Sequence, residues 1–133
     1  MTDQSWGLLA GYLMLDRPVE STTKFSLEVE GGQRPKSLPT GQQAKRCVQR
    51  SWVLSTKGKA VNGDLLVEYT QENSRRTEVP ETLHENQLEL WMYNGDRWKP
   101  LKTEVNEYAN TLTAKGVRFT SGKAHRFVAC SPF

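Results

Sequence analysis

Alternating apolar and polar positions mark this chain as a series of short β-strands. From Leu88 to Tyr93, apolar residues at 88, 90 and 92 alternate with Glu, Trp and Tyr, which is the period of a strand with one buried face. Asn94-Gly95 follows, and a second strand-like run then reaches Leu101. An Asn-Gly pair between two such runs favours a two-residue type I′ turn, in which both residues adopt positive φ. The pattern predicts a β-hairpin here, and we expect the chain to be built around it.

Similar runs recur along the sequence, separated by residues typical of turns. The other predicted strands cover residues 6–15, 24–30, 44–54, 65–70, 111–114, 117–120 and 126–130. Asn62-Gly63 is interpreted as a second turn, and residues 33–41, with two prolines, as a mobile surface loop. No segment has a convincing amphipathic helical period. The sequence therefore predicts an all-β fold, an antiparallel β-sandwich or barrel of about eight short strands.

The length of 133 residues is consistent with a single β domain, 1–133, that buries a core without disulfide or metal staples. Hydrophobic residues make up 36% and charged residues 25%, a composition typical of a soluble globular protein. No apolar run approaches the length of a membrane span, and the first residues lack the pattern of a secretory signal. We therefore predict a cytoplasmic protein without membrane contact.

The two cysteines, Cys47 and Cys130, allow two interpretations. The first expectation is a pair of buried, reduced thiols on strands. The alternative is one disulfide between an early strand and a late one, which requires the two strands to be neighbours and which a cytosolic address disfavours. Two cysteines and two separate histidines do not readily supply a zinc site, so we predict neither a metal nor a cofactor.

The net charge of +3 is unevenly distributed. Residues 34–59 and 108–133 carry basic residues and no acid, and an acidic block lies between them. If the two basic tracts share a face they form a positive surface; if they alternate with acidic strands their charges cancel. The candidate basic patch is Lys45, Arg46, Arg50, Arg118 and Arg126.

Catalytic motifs are absent from the sequence. It has no GxSxG, HExxH or Gly-rich phosphate loop. His84 and His125 are interpreted as surface histidines and not as general bases. We therefore expect a protein that is not an enzyme.

Three aromatic residues of the predicted hairpin are the candidate interface or ligand residues. If the apolar positions of residues 88–93 face the core, Trp91 and Tyr93 point away from it, and Trp98 lies close by across the strand pair. Exposed aromatic residues stack on sugars or bases, or anchor a protein interface. The alternative is that this face is also covered and the three residues belong to the core.

The same region resembles a known kind of module. A strand carrying an aromatic residue, a glycine turn and Trp98 are followed by Asn110-Thr-Leu-Thr and by Phe119. Residues 65–133 in this way resemble the C-terminal half of small β-sandwich modules of bacterial multidomain surface proteins. The resemblance implies a β-sandwich and an extracellular setting, and it implies no active site. The chain departs from the modules in the displaced Phe127 and in lacking a secretion signal.

These observations predict a non-enzymatic structural or interaction protein that forms a homo-oligomer or binds a protein partner. Its small size and lack of targeting suggest an accessory protein of a phage or mobile element. The alternative is a barrel-type nucleic-acid-binding module, in which basic tracts 34–59 and 108–133 share a face and aromatic residues stack on bases.

Overall fold

The computed structural model describes the chain in segments. These are residues 2–3, 8–9, 11–15, 24–31, 35, 37–39, 41–42, 46–57, 60–69, 79–80, 83, 85–95, 97–120 and 122–131. Within them the strands are β1 (Thr2–Asp3), β2 (Leu8–Leu9), β3 (Gly11–Leu15), β4 (Lys24–Gly31), β5 (Cys47–Lys57), β6 (Val61–Glu68), β7 (Glu89–Tyr93), β8 (Trp98–Pro100), β9 (Thr103–Asn106), β10 (Thr111–Phe119) and β11 (Ala124–Cys130). One 3-10 turn, Glu85–Gln87, precedes β7. In the described segments, no helix is long and apolar enough to cross a membrane.

Two antiparallel sheets form the body of the fold. One has four strands in the order β3-β6-β10-β9, and the other has five in the order β4-β5-β11-β7-β8. The strands β1 and β2 pair separately. The predicted all-β antiparallel fold is confirmed, and the shared core between the two sheets is that of a sandwich.

The core lies between the inner faces of these sheets, where alternate positions of each strand point inward. Its buried members are Val48, Trp52, Leu54, Leu65, Val67, Tyr69, Leu83, Leu88, Leu90, Met92, Leu112, Ala114, Val117, Phe119, Phe127 and Ala129. Trp52 and Phe127 face each other in register on β5 and β11. The ring of Phe127 lies 6.1 Å, centroid to centroid, from Phe119 of the other sheet. Each such buried aromatic contributes roughly 1.5–3 kcal/mol of burial free energy, and this contact is one of those that join the two sheets.

The predicted hairpin is confirmed, but its turn differs from the prediction. Tyr93 pairs with Trp98, so four residues, 94–97, connect β7 and β8. Gly95 has a φ of 97° and Asn94 has no positive φ. Instead, the Asn94 side-chain Oδ1 accepts a hydrogen bond from the Arg97 N–H at 3.3 Å. The expected type I′ turn is therefore wrong. The hairpin lies at one side of its sheet, whereas β11 is the middle strand.

The second Asn-Gly pair is part of a strand, not of a turn. Asn62 pairs with Arg118 and Gly63 with Val117, and β10 carries a bulge between Ala114 and Val117. Gly116 in this bulge has a φ of 65°, and its N–H donates to Asp64 Oδ1 at 3.0 Å. Neither Asn62 nor Gly63 has a positive φ, so this pair continues its strand, and the bulge lies in the strand opposite it.

Candidate interaction surface

One row of side chains crosses the outer face of the five-stranded sheet. Cross-strand pairing aligns Glu28 on β4, Val53 on β5, Arg126 on β11, Tyr93 on β7 and Trp98 on β8. Neighbouring positions on these strands, such as Trp52 and Phe127, fill the core, so this row points away from it. We call it the Arg126 row. Glu28 is exposed, and the other four members are half-buried.

A disulfide lies two rows away on the same face. Cys47 and Cys130 are opposite each other on β5 and β11 and are bonded to each other. The expectation of two reduced thiols is therefore wrong. The alternative, a disulfide between an early strand and a late one, is correct, because β5 and β11 are neighbours in the sheet.

The disulfide is the centre of a small apolar cluster outside the main core. Leu38, Trp91 and Trp98 pack against the buried side chains of Cys47, Val128 and Cys130. Leu38 belongs to the predicted loop 33–41, in which Pro35 and Pro39 are also buried. The described part of that loop therefore packs against the protein, contrary to the expectation of a mobile surface segment.

The candidate aromatics lie where the two-residue period predicts. Along β7, Leu90 and Met92 are buried, whereas Trp91 and Tyr93 are half-buried on the opposite face. The rings of Tyr93 and Trp98 are 5.3 Å apart and inclined by 46°. Among the described residues, no acceptor contacts the buried indole Nε1 of Trp91. The three aromatics thus form a fixed, partly accessible group and are not members of the main core.

Arg126 gives this aromatic group a positive charge. It lies between Val53 and Tyr93 in register and is half-buried. Within the described part of the chain, no carboxylate lies within ion-pair distance of its guanidinium. A half-buried arginine with no anion among the described residues can pair with a carboxylate from outside the protomer.

The other candidate basic residues do not join Arg126 in one patch. Lys45 lies outside the described residues, and Arg46 is half-buried. Arg50 is a correction, since its side chain is fully buried in the core and its Nη1 donates to the Glu68 carbonyl at 3.3 Å. Arg118 is exposed on the outer face of the four-stranded sheet, opposite Asn62. The strands β5 and β11, which come from the two basic tracts, do pair, but Arg118 and Arg126 lie on opposite sides of the sandwich.

Two part-buried polar contacts, of Tyr69 with Glu85 and of Arg50 with Glu68, were not predicted from the sequence. Tyr69 is buried, and its hydroxyl donates to Glu85 Oε1 at 2.8 Å. Burial, followed by the hydrogen bond and charge of Glu85, raises the pKa of Tyr69 well above its usual range. Burial also raises the pKa of Glu68, an effect that the nearby Arg50 guanidinium opposes. The raised pKa keeps Tyr69 protonated, so its hydroxyl remains a hydrogen-bond donor to Glu85.

His125 is the second residue whose position was predicted wrongly. It is fully buried, its Nε2 accepts the Thr120 N–H at 3.2 Å, and its ring meets the Phe119 ring edge-on at 5.4 Å. Burial lowers its pKa. His84 lies outside the described residues. Across the described segments, no three His, Cys, Asp or Glu side chains are grouped to hold a metal ion.

The fold and this surface define an antiparallel β-sandwich with one aromatic, arginine-bearing face. No protein-family model, curated protein or solved structure matches the chain. The resemblance to modules of bacterial surface proteins therefore stays a prediction.

Proposed function

We propose that this chain is a non-enzymatic interaction protein that self-associates through its aromatic face. The aromatic face comprises Trp91, Tyr93, Trp98 and Arg126 on the outer side of the five-stranded sheet. The observation that supports the proposal is the Tyr93–Trp98 ring pair beside Arg126, which pairs in register with Tyr93.

The residue types and their fixed positions favour a macromolecular partner. Trp, Tyr and Arg are the residues that most often dominate protein interfaces. Tyr93 and Trp98 are held by strand pairing and by each other, and Trp91 packs against the disulfide cluster. Little side-chain entropy is then lost on binding. The face of a sheet offers a broad surface, unlike the concave pockets that small ligands prefer.

Sedimentation velocity over a concentration series tests the proposal. We expect wild type to shift from monomer to oligomer, and Tyr93→Ala to weaken association by roughly 30-fold, the value for a hot spot of about 2 kcal/mol. Tyr108→Ala is the matched control, because Tyr108 is fully exposed and lies on the turn between β9 and β10. A wild-type protein that stays monomeric at high concentration, or equal effects of the two substitutions, would contradict the proposal.

The nucleic-acid alternative has less support. Arg118 and Arg126 lie on the outer faces of different sheets, and Arg50 is in the core. One duplex or strand could not contact all three. If the alternative held, binding would still weaken steeply with added salt as phosphate counterions are released; an absence of binding at low salt would dispose of it.

We infer further that the protein matures in an oxidising compartment. Disulfides persist in secreted and periplasmic proteins and are rare in the cytosol, so the Cys47–Cys130 bond argues against the predicted cytoplasmic address. Alkylation under denaturing conditions of protein taken from its native source tests this inference, because both cysteines are buried in the fold. Both should resist labelling until a reductant is added. Labelling without reductant would restore the cytoplasmic prediction.

The role in a phage or mobile element stays a prediction.

A further inference from the structure

We propose that two copies stack their five-stranded sheets face to face, with Arg126 of each copy paired to Glu28 of the other. The inference rests on the proposed self-association and specifies its geometry. The two residues that carry it stand in one row of the outer face, on either side of Val53.

The spacing of this row makes the pairing reciprocal. Adjacent strands are about 4.8 Å apart, so Glu28 and Arg126 each lie about 4.8 Å from the line of Val53. A two-fold axis that runs along the strands over Val53 therefore exchanges the positions of Glu28 and Arg126. One symmetric contact then forms two ion pairs, as an isologous interface requires. Val53, which is apolar and half-buried, meets its own copy at the axis.

Neither charged side chain has an ionic partner among the described residues of its own protomer. In the described segments, neither the exposed Glu28 nor the half-buried Arg126 forms an ion pair or a side-chain hydrogen bond. Side chains stand roughly perpendicular to a sheet, and Val53 occupies the strand between them. Both groups are therefore directed towards a facing surface. Complementary charges across such a surface fix its register and exclude other partners.

The same axis gives the aromatic residues a role at the interface. The axis places β4 of the facing copy opposite β11, which carries Arg126. Tyr93 and Trp98 lie one and two strands further along the row, so they lie beyond the edge strand β4 of the facing copy. Among the described strands, β4 is an edge strand of eight residues with β5 as its pairing partner. Long, unprotected edges are liable to unwanted pairing. In this arrangement the hairpin of each copy covers the edge of the other.

Charge reversal tests the pairing directly. Glu28→Arg and Arg126→Glu, each alone, place like charges opposite each other, and we expect each to weaken association roughly 10- to 100-fold. The double variant restores both ion pairs with reversed sign and should return to within a few-fold of wild type. An equimolar mixture of the two single variants should also associate, because each supplies the charge that the other needs. Arg118→Glu, the same reversal on the opposite side of the sandwich, is the matched control and should leave association unchanged.

The outcomes separate this inference from the proposed function. If Tyr93→Ala dissociates the oligomer but the reversals do not, or the double variant fails to recover, the ion pairing is wrong and self-association stands. A monomeric wild type overturns both. If Arg126→Glu fails to fold, Arg126→Gln and Glu28→Gln replace the reversals. Each neutral variant should weaken association, and no loss with either would overturn the inference.

Discussion

Cys47 and Cys130 are 83 positions apart in the sequence and lie directly opposite each other on paired strands. The disulfide between them closes a long loop, and such a cross-link stabilises a protein mainly by restricting its unfolded chain. It also joins β5 to β11 beneath Trp91 and Leu38. The cross-link thus combines a stability role with support of the aromatic face.

Removing this disulfide should lower the free energy of unfolding substantially. For Cys47→Ala combined with Cys130→Ala we expect a loss of about 2–4 kcal/mol, measured by urea denaturation. Reductant should destabilise wild type by a similar amount and leave the double variant unchanged. Equal stability of oxidised and reduced wild type would contradict this role.

Acidification should destabilise the fold through His125. Burial lowers its pKa from the ordinary value of 6.5, so between the folded and unfolded pKa values the unfolded chain binds more protons. The stabilising contribution is complete above pH 6.5 and is lost as pH falls from there through the folded pKa. Protonation of His125 Nε2 would also convert this acceptor into a donor that faces the Thr120 N–H, so their hydrogen bond would be lost. Unfolding curves measured between pH 7.5 and 5 should show this loss of stability in wild type and much less of it in His125→Gln. The control variant His84→Gln should behave as wild type. If the free energy of unfolding changes equally with pH in all three proteins, His125 is not the cause.

The bulge of β10 should depend on glycine. Gly116 has a φ of 65°, and no atom lies within 4 Å of the position that a Cβ would occupy. Gly116→Ala therefore meets backbone strain and no clash, at a cost of roughly 1–2 kcal/mol. Asn tolerates this conformation better, so Gly116→Asn should cost less than Gly116→Ala. Thermal denaturation of the two variants would measure the difference, and an equal cost would show that the bulge relaxes.

The hydroxyl of Tyr69 should contribute to stability. Tyr69→Phe removes the donor to Glu85 and leaves a part-buried carboxylate with one hydrogen bond fewer. We expect a loss of about 1–3 kcal/mol in urea denaturation. Tyr108→Phe makes the same chemical change at a fully exposed position and should alter stability by less than about 0.5 kcal/mol. If the two changes cost the same, the hydrogen bond is not stabilising.

Local patterns predicted the parts of the fold that depend on neighbouring residues. The alternation in residues 88–93 correctly assigned Leu90 to the core and Trp91 to the other face, because a two-residue period is a property of the strand itself. The hairpin was correct for the same reason, although the Asn94 side chain, and not a positive φ at that residue, shapes its turn.

Features set by the pairing of distant strands could not be predicted in this way. The burial of Arg50 depends on β6 lying across the core, where the Glu68 carbonyl accepts its hydrogen bond. His125 is buried because Phe119 and Thr120 from the preceding strand and turn fold over it. The register of β5 against β11 decides whether Cys47 meets Cys130. Sequence spacing alone carries none of this information.

The strand order of the five-stranded sheet affects how the protein can fold during synthesis. Its middle strand, β11, joins the β4–β5 pair to the β7–β8 pair. Until residue 130 has left the ribosome, these pairs remain separate pieces, and Trp52 of β5 has no Phe127 to pack against. Non-local pairing of this kind slows folding and leaves apolar surface exposed to other chains. A nascent chain halted before residue 124 should therefore expose apolar surface and be bound by chaperones, whereas a chain released past residue 130 can complete the five-stranded sheet.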